Sequence, residues 1–372
     1  TLPRRLQVAG YRTIHCGKGH FGPFGSPGED PRSIGFDVNI AGAALGQPGS
    51  YFGAENFAPP NGKNPQRGVP GLEKYHGRPI FLTEALTLEL NAAIGAAVEE
   101  RKPFFAYMAH YAVHAPFNAD PRFVGRYSDQ KPNVAAFAAL IEGMDKSLGD
   151  VLDHLETLGV AENTLVLFVG DNGSDAPHGP EHAIACAAPL RGKKGTHYEG
   201  GMRVPFIAAW AKPSEGNSLQ QKTPIEAGAT RSEMGAIYDL NPTVLAAAGE
   251  APSGTLDGVD LRPLFAPDHK TPSEERAFVM HFPHEHRSSY FTVYRRGDWK
   301  LIYHHRKPAG QRCELFNLSI DRDESHNLAA TEPQRLAEMF AGMTNALAET
   351  DAQMPLGDDH ATPLAPTLDG AK

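Results

Sequence analysis

The chain has 372 residues, and its 35 Lys and Arg residues against 44 Asp and Glu residues give a formal net charge of −9 at pH 7. Because no positive excess is available to neutralise a phosphate backbone, this balance excludes a basic nucleic-acid-binding protein. Hydrophobic residues make up 41% of the sequence, enough for a substantial core, and at roughly 100–200 residues per domain the length predicts two domains.

The first 109 residues begin with a predicted helix at residues 2–9 and a predicted strand at residues 13–16. Residues 23–77 are rich in Gly, Pro and Asn and lack clear periodicity, so we expect a long loop over the surface. Thr83 can cap a helix that ends near residue 102, and an apolar strand follows at residues 104–109.

The middle of the chain continues this alternation of helices and strands. The predicted elements are a helix at residues 134–158, strands at 164–170 and 204–210, and a helix at 232–248 that is kinked at Pro242. Strands alternating with long helices are typical of a parallel sheet covered by helices. We therefore predict an α/β domain over residues 1–265.

The last hundred residues show a different pattern. After a linker at residues 263–272, short strand candidates separated by turns lie at residues 277–282, 290–295, 299–304 and 313–317. A final helix opens at Thr331. These elements predict a C-terminal subdomain of antiparallel sheet plus helix over residues 274–350, followed by a flexible tail at residues 351–372.

The sequence lacks several other features. Its longest apolar runs, such as residues 165–169, are far shorter than the roughly 20 residues that cross a membrane, so we expect no membrane span. No signal-peptide pattern is found. Three cysteines are too few for a disulfide scaffold and lack metal-binding spacing.

Cationic and imidazole side chains follow the predicted strands, where the ligand site of an open α/β sheet lies. Lys18 and His20 follow the first strand, His114 follows the strand at residues 104–109, and Lys194 lies in a Gly-rich loop. Lysines can bind anionic oxygens, and a histidine can protonate a leaving oxygen. Each residue alone is common on a protein surface, but together they suit an anionic ester.

Asp171 and Asn172 directly follow the predicted strand at residues 164–170. A carboxylate and an amide oxygen are ligand types that Ca²⁺ or Mg²⁺ prefers. An Asp-Asn-Gly sequence after a strand is also a favourable tight turn. The residues themselves leave both interpretations open.

Short motifs occur in a fixed order over residues 1–348. They are GYRT at 10–13, GKGHFG at 17–22, HAP at 114–116, DNG at 171–173, RGKKGT at 191–196, YEGG at 198–201, WKLI at 299–302 and ELFNL at 314–318. This series resembles the formylglycine-dependent sulfatases of the alkaline-phosphatase-like superfamily.

The resemblance implies a sandwich with a mainly parallel central sheet between helices and a smaller C-terminal α+β subdomain. It implies hydrolysis of sulfate esters, with a sulfated sugar or polysaccharide as the expected substrate. Asp171 and Asn172 match ligands of one divalent metal, usually Ca²⁺, with Mg²⁺ as the alternative. Many relatives are periplasmic or secreted, so the same compartments are expected here.

The resemblance also implies roles for four further residues. Lys18, His20 and Lys194 match residues that hold the sulfate oxygens and the hydrated formylglycine, whose hydroxyl attacks sulfur. His114 matches the histidine that assists departure of the alcohol oxygen. Metal and lysines would offset charge on the sulfate oxygens.

Three departures from the family pattern stand out. Gly19 occupies a position where many relatives have Trp, and the chain lacks the Cys/Ser-x-Pro-x-Arg motif that yields formylglycine. An Asp-Asp pair opening the first strand, which supplies further metal ligands, is not found. Residues 1–5 have the spacing of this motif, but they begin with Thr1 instead of Cys or Ser. We therefore expect that the sequence is truncated at its N-terminus and that the formylglycine lies upstream of Thr1. The fragment alone is expected to be inactive.

Two other functions stay open. A phosphoesterase or phosphonate hydrolase of the same superfamily is disfavoured, because Lys18 and Lys194 occupy the place of a second metal. A non-catalytic module that binds sulfated glycans would leave His114 without a use. Residues 23–77 and 281–286 are candidates for the rim of a pocket, and the oligomeric state is not predicted.

Overall fold

The computed structural model describes residues 1–174, 187–251, 254, 256–269, 276–287 and 289–368. The chain forms two compact units. The first comprises Thr1–Leu167, Ala208–Ala229 and Ala236–His269, and the second comprises Phe168–Ile207, Thr230–Gly235 and Lys270–Lys372. The domain limits expected from sequence, 1–265, 274–350 and 351–372, stay a prediction, and residues 270–272 of the expected linker lie outside the described residues.

Helices and strands alternate in the first two thirds of the described chain, and four consecutive strands and a helix follow in the last third. The helices are α1 (Leu2–Val8), α2 (Leu82–Glu99), α3 (Pro132–Thr157), α4 (Glu199–Met202), α5 (Ser218–Lys222), α6 (Leu240–Ala247), α7 (Arg262–Phe265) and α8 (Pro333–Glu349). The strands are β1 (Arg12–Gly17), β2 (Val38–Ile40), β3 (Phe104–Ala109), β4 (Leu165–Val169), β5 (Phe206–Trp210), β6 (Ala277–Phe282), β7 (Phe291–Arg296), β8 (Trp299–His304) and β9 (Cys313–Asn317). Among the described residues, no helix is both long and apolar enough to cross a bilayer.

The first unit is built on a parallel sheet with the order β2-β1-β3. Ile14 in β1 lies opposite Val38 on one side and Ala106 on the other. Leu82, Leu86, Leu90 and Ile94 recur four residues apart on α2 and are buried in the core around this sheet. The α/β class predicted from the alternating pattern is confirmed.

Residues 23–77 do not form the surface loop that their composition predicts. Val38–Ile40 adds a strand to the parallel sheet, and Tyr51, Phe57 and Leu72 are fully buried in the core. These anchors are unevenly spaced, so the segment has no helical or strand periodicity although it packs inside.

The other strands of the α/β part, β4 and β5, form a two-stranded sheet. Gly170 N–H donates to Pro205 O (3.0 Å) and Ala211 N–H donates to Thr164 O (2.9 Å), so each strand's start pairs with the other's end. Ile207 in β5 is 58% exposed. Both strands were predicted at these positions.

The helix predicted at residues 232–248 is shorter than expected, and its expected kink is wrong. Helix α6 begins at Leu240 after a 3-10 turn, so Pro242 lies in its first turn. The N–H groups of a first turn have no partner within the helix, and a proline there costs nothing.

The second unit contains the antiparallel sheet β6-β7-β8-β9. One face carries Tyr294, Leu301 and Leu315, which pack with residues of α8. The opposite face includes Phe291, Ile302 and Phe316, against which Tyr198 and Met202 pack. The predicted antiparallel subdomain with its final helix is thereby confirmed.

The segment expected to be a loose tail lies against this sheet over its described part, residues 351–368. Thr367 N–H donates to the Tyr303 hydroxyl oxygen (3.0 Å), and a ring nitrogen of His281 lies 2.8 Å from Gln353 O. Its flexibility stays a prediction, and residues 369–372 lie outside the described part.

Candidate functional site

The loop after β1 carries the predicted Lys18. Gly17 adopts a φ of +102°, and a Cβ there would overlap the carbonyl oxygen of Ala109. Lys18 N–H donates to that same oxygen at 2.8 Å. A glycine is required because only a backbone without a side chain can approach the end of β3 this closely.

His20 and Gly19 continue this loop. His20 is exposed and has a φ of +58°, and its N–H donates to Ala43 O at 2.7 Å. A Cβ on Gly19 would lie 2.8 Å from the same oxygen. The close passage of residue 43 explains why a bulky residue does not fit where many relatives have Trp.

His15 lies on β1 and contacts the backbone of the Lys18 loop, a role that the sequence analysis did not predict. Its ring is buried, lies edge-on to Phe21 and Phe36, and has Nε2 3.2 Å from Lys18 O. Burial lowers the pKa of His15 to about 4, against smaller opposing effects that include its hydrogen bond with the Lys18 carbonyl. The ring is therefore neutral at pH 7, and its location on a strand gave no signal in the sequence.

His114 lies in the segment after β3. Its N–H donates to Tyr111 O (2.9 Å), and the Tyr51 hydroxyl lies 2.9 Å from its carbonyl oxygen. His114 Nδ1 lies 3.1 Å from Ala115 O, which can only accept, so Nδ1 carries a proton. In the neutral ring Nε2 is then the basic nitrogen.

Asp171 and Asn172 form an exposed bend that begins one residue after β4 ends. Their carboxylate and amide oxygens suit a hard divalent cation. Asn172 Nδ2 donates to Gly173 O (3.1 Å), which fixes which end of the amide is the oxygen. The donor chemistry therefore fits the metal expected from the sequence.

Lys194 lies in the same unit as this turn. Its N–H donates to Ser174 O at 3.1 Å, and its carbonyl oxygen accepts from Arg287 Nη1 at 3.1 Å. Its side chain is partly buried, whereas the neighbouring Lys193 is exposed. Hydrogen bonds therefore hold the Lys194 loop next to the segment that follows Asp171 and Asn172.

The six predicted site residues fall into two groups of three. Lys18, His20 and His114 belong to the first unit, and Asp171, Asn172 and Lys194 belong to the second. Their catalytic and metal-binding roles stay predictions.

A buried charge cluster fixes α4 to β8 in the second unit. Lys300 is fully buried, with Nζ 2.9 Å from a Glu199 carboxylate oxygen and 2.8 Å from one of Glu324. The other Glu324 oxygen accepts the Glu199 N–H at 2.6 Å. Burial raises the pKa of Glu324 although Lys300 opposes the rise. Glu199, Lys300 and Glu324 lie far apart in the sequence, so no motif spacing predicted that they would meet.

Comparison with known proteins identifies the family. The family model described as Sulfatase matches residues 1–250, two thirds of the chain. The chain belongs to the sulfatase family. A sulfatase of Formosa agariphila is 31% identical over 304 residues, covering 73% of this chain and 50% of that protein. The N-acetylgalactosamine-6-sulfatase of Mus musculus is 33% identical over 277 residues, covering 70% and 48%.

The chain thus spans about half the length of the curated relatives it matches. Among solved structures, that of Ps i-CgsB is similar with a TM-score of 0.73 and 25% identity, covering 93% of this chain and 73% of that one. The PsFucS1 sulfatase of Pseudoalteromonas sp. has a TM-score of 0.68 at 23% identity, covering 95% and 73%. The alkaline-phosphatase-like fold expected from the motifs is confirmed.

Proposed function

We propose that the protein containing this chain hydrolyses sulfate esters to an alcohol and inorganic sulfate. The observation that carries the proposal is the sulfatase match over residues 1–250, because this range includes all six residues with the required chemistry. It favours an enzyme over a simple glycan-binding module, since binding alone has no use for a proton donor such as His114.

The proposed roles follow from the chemistry of each side chain. Lys18, His20 and Lys194 bind the sulfate oxygens and stabilise the negative charge that grows on them in the transition state. His114 protonates the leaving oxygen from Nε2, since Nδ1 is committed to Ala115 O. Hydrogen bonds at Lys18 N–H and Lys194 N–H fix both lysine backbones.

Asp171 and Asn172 would supply oxygen ligands to one divalent cation, for which we propose Ca²⁺ with Mg²⁺ as the alternative. Such a cation polarises a sulfate oxygen as a Lewis acid when bound. Sulfatases of this kind take their nucleophile from formylglycine, and no Cys/Ser-x-Pro-x-Arg motif lies within the 372 residues.

A sulfated sugar or polysaccharide is the proposed substrate class. Two similarities support it: a curated relative named N-acetylgalactosamine-6-sulfatase is 33% identical, and a structure of Ps i-CgsB is described with a neocarrahexaose. A periplasmic or extracellular location, where such polymers occur, is proposed with it.

The test uses the protein expressed from its complete reading frame, assayed for inorganic sulfate and inorganic phosphate with matched sulfate and phosphate monoesters of one sugar. We expect sulfate release to exceed phosphate release and to be lost after chelation. Faster phosphate release would favour the phosphoesterase alternative. Glycan binding without release of either anion would favour the binding module.

A further inference from the structure

A second cluster of metal-ligand side chains lies in the second unit, on the face of the antiparallel sheet that α4 covers. Glu314 in β9 lies opposite Ile302 in β8, so these two side chains point to the same face of the sheet. His304 lies two residues after Ile302 on β8 and therefore points to that face as well. His197 directly precedes Tyr198, which packs on that face. One ligand atom from each of His197, His304 and Glu314 lies within 4.8 Å of the other two.

His197 is the unusual member of this cluster. The residue is only 8% exposed, yet neither ring nitrogen has a hydrogen-bond partner. Its ring centroid is 5.0 Å from that of His304. A buried imidazole with no partner at either nitrogen requires an explanation, and an absent ion is one of the few available.

The donor set indicates which ion fits. Two imidazoles and one carboxylate are ligands of Zn²⁺ and similar transition metals, whereas Ca²⁺ is bound by oxygens. With Zn–N distances of about 2.0–2.1 Å, tetrahedral ligand atoms lie about 3.3 Å apart. The three side chains therefore need only small rotations to surround one ion.

Glu314 already has partners that would have to adjust. His304 Nε2 lies 2.5 Å from Glu314 Oε1, and the proton of this hydrogen bond leaves when a metal binds. Lys307 Nζ is 3.4 Å from the same oxygen, and Arg191 Nη1 is 3.7 Å from the other. Both cations are nearly half exposed. Lys307 can swing into solvent, whereas Arg191 Nη1 also donates to Glu324 O at 2.9 Å and its guanidinium lies over the Tyr198 ring, so Arg191 stays beside the metal-bound carboxylate.

We propose that His197, His304 and Glu314 bind one Zn²⁺, with water as the fourth ligand. Because His197 lies three residues after Lys194, the bound ion ties the Lys194 loop to strands β8 and β9. This site differs in chemistry from the oxygen-ligand site proposed at Asp171 and Asn172. It does not depend on the proposed sulfatase activity.

Calorimetric titration with ZnCl₂ tests the proposal, using the chelator-treated protein from the complete reading frame in saturating CaCl₂. We expect one equivalent of Zn²⁺ to bind the wild type, and at least about tenfold weaker binding after His197→Ala. The control His326→Ala removes an exposed imidazole of the same unit and should bind as the wild type does. Asp171→Asn should also keep the zinc affinity.

Substitution of His197 by Ala breaks no hydrogen bond, but it removes a buried ring that packs against Tyr198 and Phe291, so the melting temperature of each protein is compared with that of the same protein without metal. Added ZnCl₂ should then raise the melting temperature of the wild type but not that of the variant. A folded wild type that binds no Zn²⁺ equivalent, or an affinity that His197→Ala leaves unchanged, would overturn the proposal. Loss of sulfate release with intact zinc binding would count against the proposed activity alone.

Discussion

Gly17 shows how one backbone position fixes a candidate catalytic side chain. Gly17→Ala should lower the free energy of unfolding by about 3 kcal/mol, combining about 1–2 kcal/mol for the left-handed backbone with about 1–3 kcal/mol for overlap with Ala109 O. Gly25 also has a positive φ, but a Cβ added there would meet no atom within 4 Å, so Gly25→Ala should show only the smaller backbone cost. Urea denaturation of both variants measures the difference, and equal losses would contradict the close approach to β3.

A fully buried histidine, His15, and a partly buried one, His110, should make the stability of the first unit depend on pH. Burial lowers the pKa of His15 and of His110 to about 4 each, while an unfolded histidine titrates near 6.5. Between these values the unfolded chain binds more protons, so stability falls as pH drops from 6.5 towards 4. The slope should approach about 1.4 kcal/mol per pH unit for each histidine.

Denaturation curves between pH 7 and pH 5 check this expectation. His15→Gln should remove the contribution of one histidine to the slope of unfolding free energy against pH. His286→Gln, at an exposed position, should leave this slope unchanged. A slope that His15→Gln does not alter would mean that the ring is not buried in its neutral form.

At the scale of single elements, Lys300 connects β8 to α4. Lys300→Met should destabilise the second unit by about 3–5 kcal/mol, because Glu324 would be left as a buried carboxylate without its cation and Glu199 would keep only the more distant Arg203 and Arg295. Adding Glu324→Gln should recover part of this loss, since one negative charge is removed while an oxygen still accepts the Glu199 N–H. The control Lys307→Met removes a half-exposed lysine and should cost less than about 1 kcal/mol.

Thermal melting of these variants gives the answer. If the double variant is less stable than Lys300→Met alone, uncompensated negative charge on Glu199 and Glu324 does not cause the loss of stability in Lys300→Met. The charge cluster then has a different role.

Most elements were predictable because their sequence patterns are local. The strands at residues 104–109, 277–282, 299–304 and 313–317 have the predicted bounds, since each is an apolar or alternating run between turn residues. The segment at residues 23–77 was not predictable, because its buried aromatic residues have no period. The cluster of His197, His304 and Glu314 depends on strand register and on packing across a sheet face, neither of which a motif records.

At the scale of the whole molecule, each unit carries three of the six predicted site residues. The motif order was enough to predict the family and the residue types, because catalytic side chains follow strands in α/β folds. It did not reveal His15, whose ring lies beside the Lys18 carbonyl oxygen, or Lys300, whose ammonium binds Glu199 of α4.

Lys193 and Lys194 provide the most direct test of the central claim, because two adjacent lysines of one loop are expected to differ in role. In the protein from the complete reading frame, inorganic sulfate released from a sulfated sugar is measured for the wild type, Lys194→Ala and Lys193→Ala. We expect Lys194→Ala to lower kcat/KM by at least about 100-fold, as loss of a group that stabilises transition-state charge does, and Lys193→Ala to change it little. No sulfate release by the wild type, or equal effects of the two substitutions, would contradict the account.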